Sequence, residues 1–121
     1  MWNLSNKENM EEIEESKSVF VESFGDSPYI RVLDFMLEGQ MFDYSMTEVA
    51  RGAHVGWSVF TKIWASLLEK KAIIQTREIG DAKLFKLNKE NPVVKKLIQL
   101  DWELTKLAAD QTLQKEVVNQ F

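Results

Sequence analysis

The sequence contains no cysteine, which excludes disulfide bridges and every metal site built from thiolates. It contains a single histidine, His54, so a metal site would depend on carboxylates and a Ser-His-Asp triad would depend on that one ring. Glycine-rich phosphate-binding motifs are also missing. We therefore expect no catalytic constellation, no cofactor and no metal, and we expect that the protein is not an enzyme.

Long apolar runs are absent as well. None approaches the roughly 20 residues that a membrane-spanning helix needs. The start of the chain, MWNLSNKENMEEIEE, lacks the basic patch and apolar stretch of a signal peptide. With 121 residues, of which 45% are hydrophobic and 28% charged, the chain fits one globular domain. Together with the lack of cysteine, these features predict a cytoplasmic protein without a membrane partner.

The net charge of −4 argues against a nucleic-acid partner, but the charge is unevenly distributed. Residues 1–44 have a balance of −7 and residues 90–121 a balance of −1, whereas residues 45–89 have eight basic and four acidic side chains, a balance of +4. Because the local field rather than the total charge steers a polyanion, residues 45–89 form the candidate binding segment.

Two helices are predicted before this segment. Ser5 and Glu8 have the spacing of a capping box, and the apolar residues behind them predict a helix from about residue 6 to residue 24. Ser27-Pro28 is a helix start with proline in the first turn, and the second helix should end at Gly39.

The basic segment opens with SMTEVARGAHVGWSVFTKIWASLLEKKAII, residues 45–74, in which a helical pattern stops and restarts at once. Ser45 and Glu48 form a second capping box, GAHVG interrupts the helix, and His54 is a residue type that tolerates a left-handed backbone. Two short helices joined by a tight turn make a helix-turn-helix. Its second helix, about residues 57–70, would project into a groove of DNA.

A β-hairpin is predicted over residues 72–87. Ala72–Arg77 and Lys83–Leu87 have the residue types and alternation of strands, and Gly80-Asp81 between them is a turn signal. Lys83, Phe85 and Leu87 should share one face of the second strand, and Leu84 should lie on the other.

Asn91-Pro92 starts a long C-terminal helix whose helical signal fades after about residue 108. The apolar residues of this helix form two lines. The first line has heptad spacing and consists of Val93, Leu97, Leu100, Leu104 and Leu107. The second line lies beside it and consists of Val94, Ile98 and Trp102. We expect one line to pack on the domain and the other on a second copy in a homodimer. The alternative is that both lines pack within the monomer.

Three stretches, at 27–39, 45–74 and 80–101, resemble the winged-helix DNA-binding domains of small prokaryotic transcription regulators, and most closely archaeal ones. The resemblance implies a mainly α fold with a small β-hairpin, a winged helix-turn-helix with extra N- and C-terminal helices. It divides the chain into an N-terminal helix (1–26), the winged helix-turn-helix domain (27–90) and a C-terminal helix as a possible dimerisation element (91–121). It also implies a sequence-specific regulator of double-stranded DNA, with helix 57–70 in the major groove and hairpin 72–87 as the wing.

The candidate DNA-binding residues lie on these two elements. Four should point outward from the recognition helix toward bases and phosphates: Trp57, Ser58, Thr61 and Lys62. Arg77 and Lys83 flank the hairpin turn and are placed to bind phosphates. The alternatives are an ordinary solvent-facing helix surface and a charged hairpin edge that blocks aggregation.

Two other functions remain open at this point. A winged helix can serve as a protein–protein interaction module without DNA binding, here through the acidic N-terminal helix or the C-terminal apolar lines. A small-molecule sensor is a third option, but it requires a pocket that a sequence does not reveal.

Overall fold

The computed structural model describes residues 17–119, with side chains as far as residue 114. Seven elements follow one another: α1 (Val19–Phe24), α2 (Pro28–Glu38), α3 (Met46–Gly52), α4 (Trp57–Glu69), β1 (Ile73–Ile79), β2 (Ala82–Leu87) and α5 (Pro92–Asn119). The two strands pair as an antiparallel hairpin. This is a winged helix-turn-helix with additional helices at both ends, as the sequence predicts.

Helix α1 begins at Val19, inside the stretch that the sequence predicts to be helical. Lys17 and Ser18 are not helical, so the predicted continuous helix from 6 to 24 is wrong at these two residues. Ser18 is extended because its side chain caps α1, accepting a hydrogen bond from the Val21 amide, and its hydroxyl also donates to Asp34 at 2.6 Å. The predicted capping box of Ser5 and Glu8 lies outside the described residues.

The other predicted helix starts are confirmed. The Ser27 side chain accepts from the Ile30 amide at the start of α2, and α2 ends at Gly39. Ser45 and Glu48 make both hydrogen bonds of the capping box at the start of α3.

The turn between α3 and α4 is tight and contains the expected left-handed residue. His54 has φ of 56°, and Val55 behind it is buried. Gly52, two residues before His54, lies against the Phe35 ring of α2, where any Cβ atom would overlap the ring. The two helices are therefore joined at a close contact with α2.

The two strands extend closer to the turn than predicted, and the turn lies at Gly80-Asp81, with Gly80 at φ of 60°. Phe85 and Leu87 belong to the core, but Leu84 on the opposite face is buried too, so burial does not alternate strictly along β2. The register shifts between Gln75 and Arg77.

The core lies between α4, α2 and the hairpin. Phe60 and Trp64 of α4 stack with ring centroids 5.2 Å apart, and Trp64 meets Phe85 edge-on at 5.3 Å. Leu33 and Leu37 of α2 complete this cluster. The inward face of α4 is thus fixed, which determines the face that it leaves to solvent.

The C-terminal helix is continuous to Asn119, although the apolar helical pattern of the sequence fades after about residue 108. The segment that follows contains neither glycine nor proline and is rich in good helix formers. No helix in the described part of the chain is both long and apolar enough to cross a membrane.

The inward face of α5 takes residues from both predicted apolar lines: Val94, Leu97, Ile98 and Leu104. The expectation that each line packs as a unit is therefore wrong, because the buried side of the helix includes some residues of each line and leaves others exposed. Asn91 also joins α5 to the end of α4. Its Oδ1 accepts from the Val93 amide at 2.8 Å, while its Nδ2 donates to the Lys70 and Lys71 carbonyls at 3.0 and 3.1 Å.

Candidate nucleic-acid interface

The four predicted residues of α4 lie together in its first half. Ser58 and Lys62 are exposed, and Thr61 is half-buried with its hydroxyl donating to the Ser58 carbonyl at 3.1 Å. Trp57 is 54% exposed, although its ring lies 5.6 Å from that of Phe60. The first half of α4 therefore presents an aromatic edge, hydroxyl groups and one cation to solvent.

Two other exposed residues of α4 are not among the predicted DNA-binding residues: Val59, which is 46% exposed, and Ala65. Both stand three residues from Lys62, which places them beside it on the helix surface. The signal that could have identified Val59 is an apolar residue at an outward helical position.

Lys62 forms no ion pair with the described residues, and the same holds for Arg51 at the end of α3. The nearby Glu48 is engaged in its capping box. The cationic side chains at the turn and on α4 are thus available to an external anion.

The predicted wing residue Arg77 is held by its own chain. Its Nε donates to Asp43 Oδ2 at 2.9 Å and one terminal nitrogen donates to Oδ1 at 3.2 Å. Thr76 donates to the same carboxylate at 2.8 Å. These hydrogen bonds hold the pKa of Asp43 below its ordinary value, and the carboxylate raises the pKa of Arg77.

This ion pair anchors the hairpin to the segment before α3. Tyr44 supports the anchor, because it exchanges two backbone hydrogen bonds of 2.8 Å with Phe85. Lys83, the other predicted wing residue, is exposed and stands across from Glu78.

A cleft of about 440 Å³ lies behind the turn, between α1, α2 and residues 52–54. The carboxylates of Asp34 and Glu38 line this cleft, and the carboxylate of Asp101 on α5 lies close to them. Burial first, then Asp34 and Asp101, raise the pKa of Glu38, while burial and Asp34 raise the pKa of Asp101. Among the described residues, no cluster of three or more acidic or histidine side chains is arranged to hold a metal ion.

No family model matches the sequence, and no curated protein matches it. Several solved structures share its fold. MepR, a transcription regulator of the Staphylococcus aureus multidrug efflux pump MepA, is 15% identical, with a TM-score of 0.53 over 99% of this chain and 85% of that chain. ZitR from Lactococcus lactis, as a C30AH42A mutant, is 21% identical, with a TM-score of 0.51 over 75% of this chain and 67% of that chain.

The adhesin competence repressor AdcR from Streptococcus pyogenes is 18% identical, with a TM-score of 0.50 over 75% of this chain and 73% of that chain. At these identities the likenesses establish the winged-helix fold and nothing finer.

Proposed function

We propose that this protein is a transcription regulator that binds specific sequences in double-stranded DNA. Helix α4 lies in the major groove, and the β1–β2 hairpin lies along the adjoining backbone as the wing. The fold that the chain shares with MepR and AdcR, described as a transcription regulator and a repressor, supports this proposal.

The observation that carries the proposal is the bare outward face of α4. Phe60, Trp64 and Leu67 are fully inside the core, so the helix is held rigidly from behind. The opposite side presents Ser58 and Lys62 to solvent, within the segment of the chain that has the basic surplus. A rigid rod with small polar groups and an unpaired cation suits the major groove.

The exposed residues divide into base readers and phosphate binders. Lys62 donates to guanine O6 and N7, and the hydroxyls of Ser58 and Thr61 bond base edges or phosphates. Val59 and Ala65 are apolar and suit the methyl groups of thymine, while Trp57 packs on sugar or on another methyl.

On the wing, Lys83 binds phosphate. Arg77 anchors the hairpin through Asp43, but one of its terminal nitrogens is not bonded to Asp43. Because the Arg77 side chain is 61% exposed, this nitrogen can donate to a phosphate. These contacts add affinity without sequence preference.

The protein acts as a homodimer assembled through α5. Val93, Leu100 and Leu107 are exposed at heptad spacing along one side of this helix, next to its inward face. A two-fold dimer would present two α4 helices to half-sites about 34–36 Å apart. A DNA-binding role favours a cytoplasmic location, and a prokaryotic source, most closely archaeal, remains the prediction of the sequence resemblance.

A mobility-shift experiment tests the proposal. At low salt, random duplex should be retarded at micromolar protein, the range of non-specific affinities, and retardation should fall steeply as salt rises. Selection from a random duplex pool should then enrich an inverted repeat. The absence of any retardation at micromolar protein contradicts DNA binding.

A protein-interaction module is the second candidate. The acidic balance outside residues 45–89 and the exposed Trp102 and Leu113 of α5 favour it. A folded, dimeric wild-type protein that retards no duplex would support this alternative.

A further inference from the structure

Arg31 of α2 holds the helix-turn-helix turn from behind. Its Nε donates to the Ala53 carbonyl at 2.9 Å, and one terminal nitrogen donates to the His54 carbonyl at 3.1 Å. The other terminal nitrogen donates to Asp26 at 2.9 Å. One planar side chain therefore joins α2 to two consecutive carbonyls of the turn.

These two carbonyls belong to the residues at which the chain turns from α3 toward α4. Ala53 closes α3, and His54 is the left-handed residue that reverses the chain before α4 begins at Trp57. The amides of Ala53, His54 and Val55 all bond back to carbonyls of α3, at 2.9, 3.2 and 3.0 Å, whereas the carbonyls of Ala53 and His54 accept from Arg31. Contact between Phe35 and Gly52 fixes the same turn to α2 one position earlier.

The charge of Arg31 is already matched. Asp26 pairs with Arg31 at 2.9 Å and with Lys17 at 3.1 Å, and hydrogen bonds from these two side chains, Arg31 first, lower the pKa of Asp26. The Arg31 side chain is 29% exposed, and it stands on α2, behind the helix that presents Lys62. This placement suits a structural donor rather than a phosphate ligand.

We infer that Arg31 is a positioning residue for DNA recognition: it fixes the angle between α3 and α4, and with it the fit of α4 to base edges. The inference rests on the proposed function. It distinguishes Arg31 from the cations on α4 and the wing, because the loss of Arg31 should impair specific binding while leaving the electrostatic, sequence-independent binding intact.

The test compares R31Q and R31K with D26N, which removes the Asp26 pair but leaves both carbonyl bonds. Affinity is measured for the selected duplex and for random duplex across a salt series, and amide hydrogen exchange is measured at residues 53–57. R31Q should bind the selected duplex about tenfold less tightly, the size of one misplaced base contact, with random-duplex affinity and salt slope unchanged. R31K should lie between R31Q and wild type, since one ammonium cannot span both carbonyls as a fork does, and D26N should remain near wild type.

Faster exchange at the turn with unchanged specific affinity overturns the inference. So does an equal loss on both duplexes with the salt slope reduced by about one, which marks Arg31 as a phosphate ligand. If wild type itself retards no duplex, the proposed function fails, and that outcome is separate from either result on the variants.

Discussion

Individual side chains on α4 and β2 have different tasks in the proposed complex. Lys62 and Thr61 lie on the helix proposed to enter the groove, whereas Lys83 is an exposed residue of β2 in the proposed wing. Base contacts carry sequence preference, and phosphate contacts carry salt dependence.

Replacing Lys62 and Thr61 by alanine should therefore relax sequence preference by about 1–3 kcal/mol at the contacted base pair. Lys83→Ala should weaken binding to all sequences alike and reduce the salt slope by about one. Competition between selected and random duplexes over a salt series measures both effects. Equal behaviour of the two sets of variants would contradict this division.

The proposed contact between Val59 and a thymine methyl group can be tested by changing the DNA. Deoxyuridine lacks the methyl group, so replacing the thymines of the selected duplex should weaken wild type, and the same replacement should cost Val59→Ala less. A double-mutant cycle on binding affinity measures the difference. A coupling free energy of zero would argue against the methyl contact.

Two glycines at the ends of the turn make a matched pair for stability. A Cβ atom at position 52 would overlap the Phe35 ring, whereas nothing lies within 4 Å of one at position 56. Gly52→Ala should lower the free energy of unfolding by about 1–3 kcal/mol, because the ring, already packed on Tyr44 at 4.9 Å, must move. Gly56→Ala should change it by less than about 1 kcal/mol, since weaker capping and reduced backbone entropy offset each other. Urea unfolding measures both, and equal midpoints would contradict the predicted overlap.

Between elements, two kinds of carboxylate respond to pH in opposite directions. Asp43 attaches the hairpin to the segment before α3, and its pKa is lowered, so its contribution to stability is present near neutral pH and is lost as pH falls through that lowered value. Asp101 of α5 faces Asp34 of α2, and its pKa is raised by burial first and by that neighbour second. Its ionised form therefore weakens the packing of α5 on α2.

Asp101→Asn should raise the urea midpoint at pH 7. The gain over wild type should shrink as pH falls through the raised pKa toward the ordinary value of 3.8, because wild-type Asp101 then becomes protonated in the folded state. Asp110→Asn, at an exposed position further along α5, is the control and should change little. A gain that is the same at pH 7 and pH 4 would contradict the electrostatic explanation.

The assembly of the whole molecule depends on what covers α5. Leu100 and Leu107 are exposed in the monomer, 39% and 55%, so replacing both with lysine should leave its folding nearly unchanged. In a dimer they would be buried, and two lysines there should shift the protein to monomer and weaken binding to an inverted repeat much more than to a single half-site. Sedimentation equilibrium and mobility shift measure these effects.

As a control, Gln99→Lys places one lysine on the exposed polar side of α5 and should leave the dimer intact. A wild-type protein that is monomeric at all concentrations, or a double variant that stays dimeric, would contradict assembly through this side of α5.

The helix starts and the hairpin turn could be predicted because they depend on interactions between residues close together in the sequence. The serine caps at 27 and 45, the asparagine at 91 and the glycine-containing hairpin turn act on neighbours only a few residues away, so the sequence marked these helix starts and the turn correctly. The exposed face of α4 also followed from helical spacing, apart from Val59. DNA contact by the six predicted residues stays a prediction.

The sequence by itself determined the order of the elements, the break at GAHVG and the concentration of positive charge in residues 45–89, because each depends on residue type and short-range spacing. Only the tertiary structure decided that Arg77 is held by Asp43, that Arg31 holds the turn and that α5 buries residues from both apolar lines. These partners lie 22 or more residues apart, as in Arg31 with Ala53 and Arg77 with Asp43, so the packing of α2, the hairpin and α5 selects which groups meet.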